Sequence, residues 1–478
     1  MIPLTLAEIA ALTGGSLAPA EAAARTVTGP VIIDSRRVTD GALFAALPGE
    51  RADGHDYAPA AVAAGAAGVL ATRPVPGAPA VVVPDVTLAL GALAKGVLGR
   101  LPAATVTGIT GSSGKTSTKD LAAQVVEHLG PTIAPEDSFN NEIGLPLTVL
   151  RAGASTRFLV LEMSARGIGH IAALCDIAPP RIGAVLNVGR AHAGEFGSLD
   201  AVAKAKGELP EALPADGVAV LNADDPRVVA MAARTAARVV TFGVRDTAIP
   251  PGMGGSSPPI SPSVRAGDIR LDDLGRASFR LLMPGGSADV ALRLHGAHHV
   301  PNALAAAAIA AELGMDTQAI AAALSAATVR SRRRMELHER PDGVLVVNDA
   351  YNANPDSTRA AIEALRHLAR GGRRGFAVLG HMAELGDIAD DSHAEVGRLA
   401  AQAGVAGLIA VGEEARPVLD GARAETGWHG EAIAAPDAAG AVAALDNLLR
   451  PGDVVLVKAS KSAGLWEVAD RLLAEAAP

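Results

Sequence analysis

Short apolar runs recur along most of the chain, separated by longer stretches with helical periodicity. Ala104–Ile109, Phe158–Met163, Ile182–Val188 and Val218–Asn222 are too short for helices and are bounded by turn residues, so they predict strands. Thr116–Leu129 and the Ala-rich Ala303–Leu313 predict helices between and after them. The same alternation resumes beyond Arg330. Val344–Asn348, Phe376–Leu379, Leu408–Val411 and Val454–Lys458 predict strands, and Asp356–Leu368 and His393–Ala403 predict helices. Strand–helix alternation implies parallel sheets covered by helices, an α/β fold. Residues 1–102 mix shorter strands and helices, and Thr247–Pro262, rich in Pro, Gly and Ser, predicts a surface insertion. The expected regions are residues 1–102, 103–328 and 329–478.

Composition narrows the class without naming a ligand. A chain of 478 residues is too long for one ordinary core and fits two to four domains. Hydrophobic residues make up 49% and charged residues 19%, which suits globular units and not disorder. The net charge of −9, with no basic run, argues against a nucleic-acid partner. No stretch is long and apolar enough to span a membrane, and the first residues carry no basic leader pattern. The single cysteine, Cys175, excludes an intrachain disulfide and reads as a buried thiol in a reducing, cytoplasmic setting.

The chemistry concentrates where strands end. Thr110-Gly111-Ser112-Ser113-Gly114-Lys115-Thr116-Ser117 follows one predicted strand and opens a helix, the context in which a Gly-rich loop holds phosphate. Gly111 and Gly114 let backbone amides close around anionic oxygens, Lys115 reaches the outer phosphates, and the Thr116 hydroxyl suits Mg²⁺. Glu162 ends the next strand, either as a carboxylate facing the ligand crevice or as a surface residue. His192 lies in the loop after Ile182–Val188, a ligand candidate or a solvent-facing histidine. Lys204 and Lys206 read by composition as a solvated helix face. His298, His299 and Asn302 read as a polar helix entry, without the partners of a metal site. Asp349-Ala350-Tyr351-Asn352-Ala353-Asn354-Pro355 forms a polar turn after a strand, where a nucleotide sugar is also held. No Gly-x-Gly-x-x-Gly follows a strand of the last region, so a nicotinamide site is not indicated.

Taken together and in order, these segments resemble the Mur ligase family, ATP-dependent amide-forming ligases of peptidoglycan precursor synthesis. The resemblance implies three domains: a substrate domain, a central P-loop ATPase-like parallel sheet and a Rossmann-like C-terminal domain. It further implies that Thr116, Glu162 and His192 bind Mg²⁺ and that Lys206 is carbamylated. Gly111, Ser112, Ser113, Gly114, Lys115, Thr116, Ser117, Asn302, Arg334 and Asp349 would meet ATP, with Lys115, Lys206 and His192 catalytic. Ser35, Arg36, Asn140, Asn141, Tyr351, Asn352 and Asn354 would bind substrate. His299 stands where the family pattern has Asn, and His381 where Asp is common. Four segments point to the branch joining D-alanyl-D-alanine to UDP-N-acetylmuramoyl-tripeptide: Asp34–Arg36 with Gly49–Asp56, Phe139–Pro146, Asp349–Pro355 and Met382–Gly386. The alternative is another ligase of this fold, tripeptide-forming or of the folylpolyglutamate type. A monomer acting on small molecules is expected.

Overall fold

The computed structural model describes residues 1–49, 52–190, 193–244 and 262–474. Three sheets of four or more strands organise the chain. The first has five strands in the order Ser16–Ala18, Ala80–Val82, Gly68–Ala71, Leu43–Ala45, Val31–Ile32. Its last four strands run parallel, and Ser16–Ala18 caps the edge antiparallel.

The central sheet has nine strands. Its parallel part runs Arg238–Gly243, Val218–Asn222, Ile182–Val185, Thr105–Thr110, Phe158–Glu162 and Thr132–Ile133. Thr105–Thr110 lies between Ile182–Val185 and Phe158–Glu162, so the loops leaving these three strands emerge side by side. All residues of Phe158–Glu162 and Ile182–Val185 are buried, as the unbroken apolar runs require for strands covered on both faces. The helices Lys115–Val126 and His299–Glu312 pack together on one face, and the run Ala303–Ala310 is fully buried around Leu304 and Ile309. Alanine side chains let the two helices approach closely.

Beyond the insertion the sheet continues with Val264–Leu271, Arg276–Met283 and Gly286–His295, the latter two pairings antiparallel. These strands stand outside the expected set. The signal is nevertheless present: Arg276–Leu281 alternates exposed and buried residues with period two, one face against the helix Thr317–Ala326. The predicted insertion Thr247–Pro262 lies outside the described residues except for Pro262.

The third sheet has six strands, ordered Glu336–Glu339, Leu345–Asn348, Val454–Lys458, Gly375–Leu379, Gly407–Val411, Glu431–Ala435. All neighbours are parallel except the first pair. The helix Pro355–Leu368 starts with an Asn354 cap and a proline in its first turn, which places the Asp349–Pro355 turn at the strand ends. No helix among the described residues is long and apolar enough to cross a membrane.

Candidate active site

The strand-end loops of the central sheet and the turn after Leu345–Asn348 line one cavity of about 490 Å³. Its floor is the Gly-rich loop. Gly114 adopts φ +80°, and a Cβ there would stand 2.6 Å from Asn302 Oδ1, so a side chain is excluded both by backbone and by space. The helix Lys115–Val126 begins at that glycine, which turns its first amides toward the cavity.

The loop is tied down by its neighbour. Ser113 N donates to Asn187 Oδ1 at 2.9 Å, and Asn187 Nδ2 donates to the Ser113 carbonyl at 3.1 Å. Ser112 Oγ accepts from Gly189 N at 2.8 Å. Lys115 Nζ reaches back across the loop to the Gly111 carbonyl at 2.7 Å. Desolvation lowers the Lys115 pKa, and the Glu162 charge partly offsets that.

Glu162 is buried at 1% exposure at the end of its strand. Thr116 Oγ1 donates to one carboxylate oxygen at 2.8 Å and Asn140 Nδ2 to the other at 2.8 Å. Among the described residues no cationic side chain lies within ion-pair distance of this carboxylate. A buried anion with only neutral donors fits a cation, and a hydroxyl with a carboxylate is the hard oxygen set that Mg²⁺ completes with water and phosphate. His192 lies outside the described residues.

Lys206 corrects the expectation of a solvated face. It is 3% exposed in the helix Leu199–Lys206, and no carboxylate among the described residues pairs with it. Desolvation, with Lys115 adding to it, holds its pKa well below the ordinary lysine value. The cause of the misreading is the helix's environment: its residue Val202 is buried and Ala205 joins a buried apolar cluster built from other elements, and no local pattern announces that.

The opposite wall comes from the last region. Arg334 Nη2 donates to Ser138 Oγ at 2.8 Å, and Ser138 Oγ lies 3.0 Å from Thr116 Oγ1. The Arg334 guanidinium sits 4.4 Å over the Tyr351 ring. Asp349 pairs with Lys458 at 2.5 Å. Asn352 contributes its carbonyl to Lys458, and the Asn354 side chain caps its own helix at Ser357 N. Asn141 likewise caps Gly144 N at 2.9 Å, so part of its hydrogen-bonding capacity is structural. Ser117, Asn141, Asn302, Tyr351, Asn352 and Asn354 all border the cavity.

Ser35 and Arg36 do not border it. They occupy an exposed turn in which Asp34 accepts from Arg36 N at 3.0 Å and pairs with its guanidinium. Hydrogen bonding to Arg36 pulls the Asp34 pKa down to about 2. At the other end of the cavity His299 is 2% exposed with Nδ1 unpartnered, and burial lowers its pKa well below the histidine value. Cys175 is buried, with its thiol pushed up to about 12 by desolvation, an inert residue as expected.

Sequence reasoning missed Ser138 and Asn187. Asn187 had a findable signal: it ends a buried run next to the loop strand, as Glu162 does. Ser138 had none, since its role depends on a contact across the molecule to Arg334.

Three family descriptions match the chain: "Mur ligase middle domain" over residues 109–310, "Mur ligase, glutamate ligase domain" over 333–461, and "Mur ligase family, catalytic domain" over 30–98. A Mycobacterium tuberculosis protein named UDP-N-acetylmuramoyl-tripeptide--D-alanyl-D-alanine ligase is 50% identical, covering 99% of this chain and 98% of that protein. A crystal structure of MurF from Acinetobacter baumannii superimposes with a TM-score of 0.85 at 30% identity, covering 99% of both chains. MurF ligase from Thermotoga maritima in complex with ADP has a TM-score of 0.78 at 28% identity, covering 94% of this chain and 99% of that one. With the phosphate loop, the buried Glu162 and the wall from the third sheet meeting in one cavity, this chain belongs to the Mur ligase family.

Proposed function

We propose that the chain is an ATP-dependent ligase joining D-alanyl-D-alanine to UDP-N-acetylmuramoyl-tripeptide in peptidoglycan precursor synthesis. The observation that carries the reading is the cavity in which the phosphate loop, Glu162 and Arg334 face one another. The names of relatives that share nearly the whole chain support the choice of acceptor and amine.

In this reading the acceptor carboxylate attacks the γ-phosphorus of ATP, ADP leaves, and an acyl phosphate remains. The dipeptide amine then attacks the acyl carbon and phosphate departs. Carboxylate and triphosphate repel, so the site must supply positive charge where they meet. Lys115 swings from the Gly111 carbonyl to the outer phosphates, and Arg334 approaches from the other wall. Thr116 and Glu162 would hold Mg²⁺, with His192 as a further candidate, and the ion would neutralise phosphate charge. Asn140 keeps the Glu162 carboxylate oriented. Asn302, packed against Gly114, borders the nucleotide end.

Lys206 carries a carbamate in this reading. Burial favours the neutral form of this amine over the charged one, and a neutral nitrogen can attack the carbon of CO₂, release one proton and become an anion. That anion would stand near Lys115 and so would replace an unpaired buried amine by a paired carboxylate-like group. Residues 1–102 receive the UDP-sugar-peptide through Ser35 and Arg36, residues 103–328 hold the nucleotide, and residues 329–478 bring the dipeptide past Tyr351 and Asn352. Closure of the outer regions on the cavity excludes water from the acyl phosphate.

The test is phosphate release with ATP, Mg²⁺ and UDP-N-acetylmuramoyl-tripeptide, with and without D-alanyl-D-alanine. Release that depends on the dipeptide is expected. Release driven instead by glutamate, a diamino acid or a folate acceptor overturns the assignment.

A further inference from the structure

The linker entering the third sheet carries Arg334 between two residues in the left-handed region, Arg333 at φ +62° and Met335 at φ +50°. Neither is glycine. Side chains rarely tolerate this backbone, which persists only where the surroundings hold it.

Those surroundings are visible. Arg333 N donates to Glu336 Oε2 at 2.9 Å, its carbonyl accepts from Tyr351 N at 3.2 Å, and its guanidinium lies 4.2 Å over Trp466. Met335 N donates to Asp349 Oδ1 at 3.0 Å. The other Asp349 oxygen takes Lys458 Nζ at 2.5 Å, and Lys458 also donates to the Asn352 carbonyl at 3.0 Å. The pair is withdrawn from solvent, the Lys458 side chain at 2% exposure and that of Asp349 at 13%. A carboxylate fixed by a buried lysine is a stiff acceptor for a strained amide. Between the two strained residues Arg334 is delivered to Ser138 and, through it, to Thr116 of the phosphate loop.

We infer that Asp349, braced by Lys458, is a positioning residue that keeps Met335 left-handed and thereby aims Arg334 at the phosphate loop. The inference rests on the reading above that Arg334 meets the transferred phosphate. It differs from a contact between Asp349 and the nucleotide sugar. A carboxylate can accept further bonds beyond the two made here, so the experiment separates the two roles.

Dipeptide-dependent phosphate release is measured for Asp349→Ala, Arg334→Ala, the double variant and Asp349→Ala/Met335→Gly, each first checked for folding by circular dichroism. A misaimed guanidinium costs about a hundredfold in kcat for Asp349→Ala, with the KM for dipeptide little changed. In the Arg334→Ala background Asp349→Ala costs nothing further. Glycine adopts the left-handed backbone unaided, so Met335→Gly restores at least about fivefold of the lost kcat. Wild-type kcat in Asp349→Ala, independent losses in the double variant, or no rescue by glycine each overturns the inference. Should Asp349→Ala fail to fold, Asp349→Asn and Lys458→Met are combined. Their effects are coupled if the pair acts as one brace, and additive effects overturn it. The ratio of ATP to 2′- and 3′-deoxy-ATP turnover stays constant between wild type and Asp349→Asn; a narrowed ratio assigns Asp349 to the sugar instead. Failure of the underlying function is distinguishable, because wild type itself would then release no phosphate on addition of dipeptide.

Discussion

Two polar loops of this chain leave the ends of parallel strands, and they are built in opposite ways. The loop after Thr105–Thr110 is cross-braced from a neighbouring strand end by Asn187 and Gly189, and Ser112 is 5% exposed. The turn after Val31–Ile32 is held from within, by Asp34 on its own Arg36 and by Arg37 N on the Asp34 carbonyl at 3.0 Å, and the Arg36 side chain is 87% exposed. The first loop is set before any ligand arrives, so binding costs little reorganisation. In the proposed reading the second would gain its outside partners from the substrate. Substitutions in the first should therefore act on the chemical step, and substitutions in the second on substrate affinity.

The largest expected effect is at Lys115. Lys115→Ala removes the cation at the centre of the braced loop and should cost about 3 kcal/mol or more of transition-state stabilisation, read as kcat/KM for phosphate release. The fold should persist, since Lys115 packs no core. Turnover near wild type would remove the phosphate loop from the mechanism.

Gly114→Ala probes the bracing itself. The new Cβ meets Asn302 Oδ1 at 2.6 Å on a backbone at φ +80°. A loss of about 2 kcal/mol in stability is expected, with nucleotide affinity falling alongside. Thermal unfolding with and without ADP measures both, and an alanine variant as stable as wild type would show that the loop is softer than its contacts imply.

Arg36→Ala tests the other side of the contrast. The KM for UDP-N-acetylmuramoyl-tripeptide should rise about tenfold while kcat holds. A fall in kcat comparable with that of Lys115→Ala would erase the distinction between the two loops.

The smallest effect concerns pH and Lys206. Its folded pKa lies well below the usual value of 10.5, so between those limits the unfolded chain binds more protons. Stability without CO₂ therefore rises with pH across that window and is lost as pH falls, by at most about 1.4 kcal/mol per pH unit. Lys206→Met should flatten the rise, and bicarbonate should raise the melting temperature of wild type but not of the variant. Equal slopes in the two proteins would place the Lys206 amine in solvent and remove the carbamate.

How far the sequence could be read follows the range of the forces involved. Buried parallel strands are marked by unbroken apolar runs, so Val218–Asn222 and Val454–Lys458 coincide with the expected ranges, and a glycine loop between strand and helix announces itself within a dozen residues. Glu162 was legible because a strand end fixes where its side chain emerges. The antiparallel strands Arg276–Met283 and Gly286–His295 carry the right alternation, but Val264–Leu271, which joins them to the low-complexity stretch, does not alternate and hides the start of the run.

Other features exist only once distant segments meet. Lys206 is ordinary in its helix and exceptional in its burial, because desolvation depends on what packs over it from elsewhere in the chain. Ser138 and the Lys458–Asp349 pair have no local signature, since each is held by a partner far away in sequence, and the left-handed linker around Arg334 depends on that pair through the Met335 amide. By itself the sequence determined the parallel sheets, the phosphate loop and the chemical type of the site, all of which rest on local periodicity and backbone preference. Tertiary structure alone decided which charges are buried, which are paired and where Arg334 points, because electrostatic energy depends on distance through space and not along the chain.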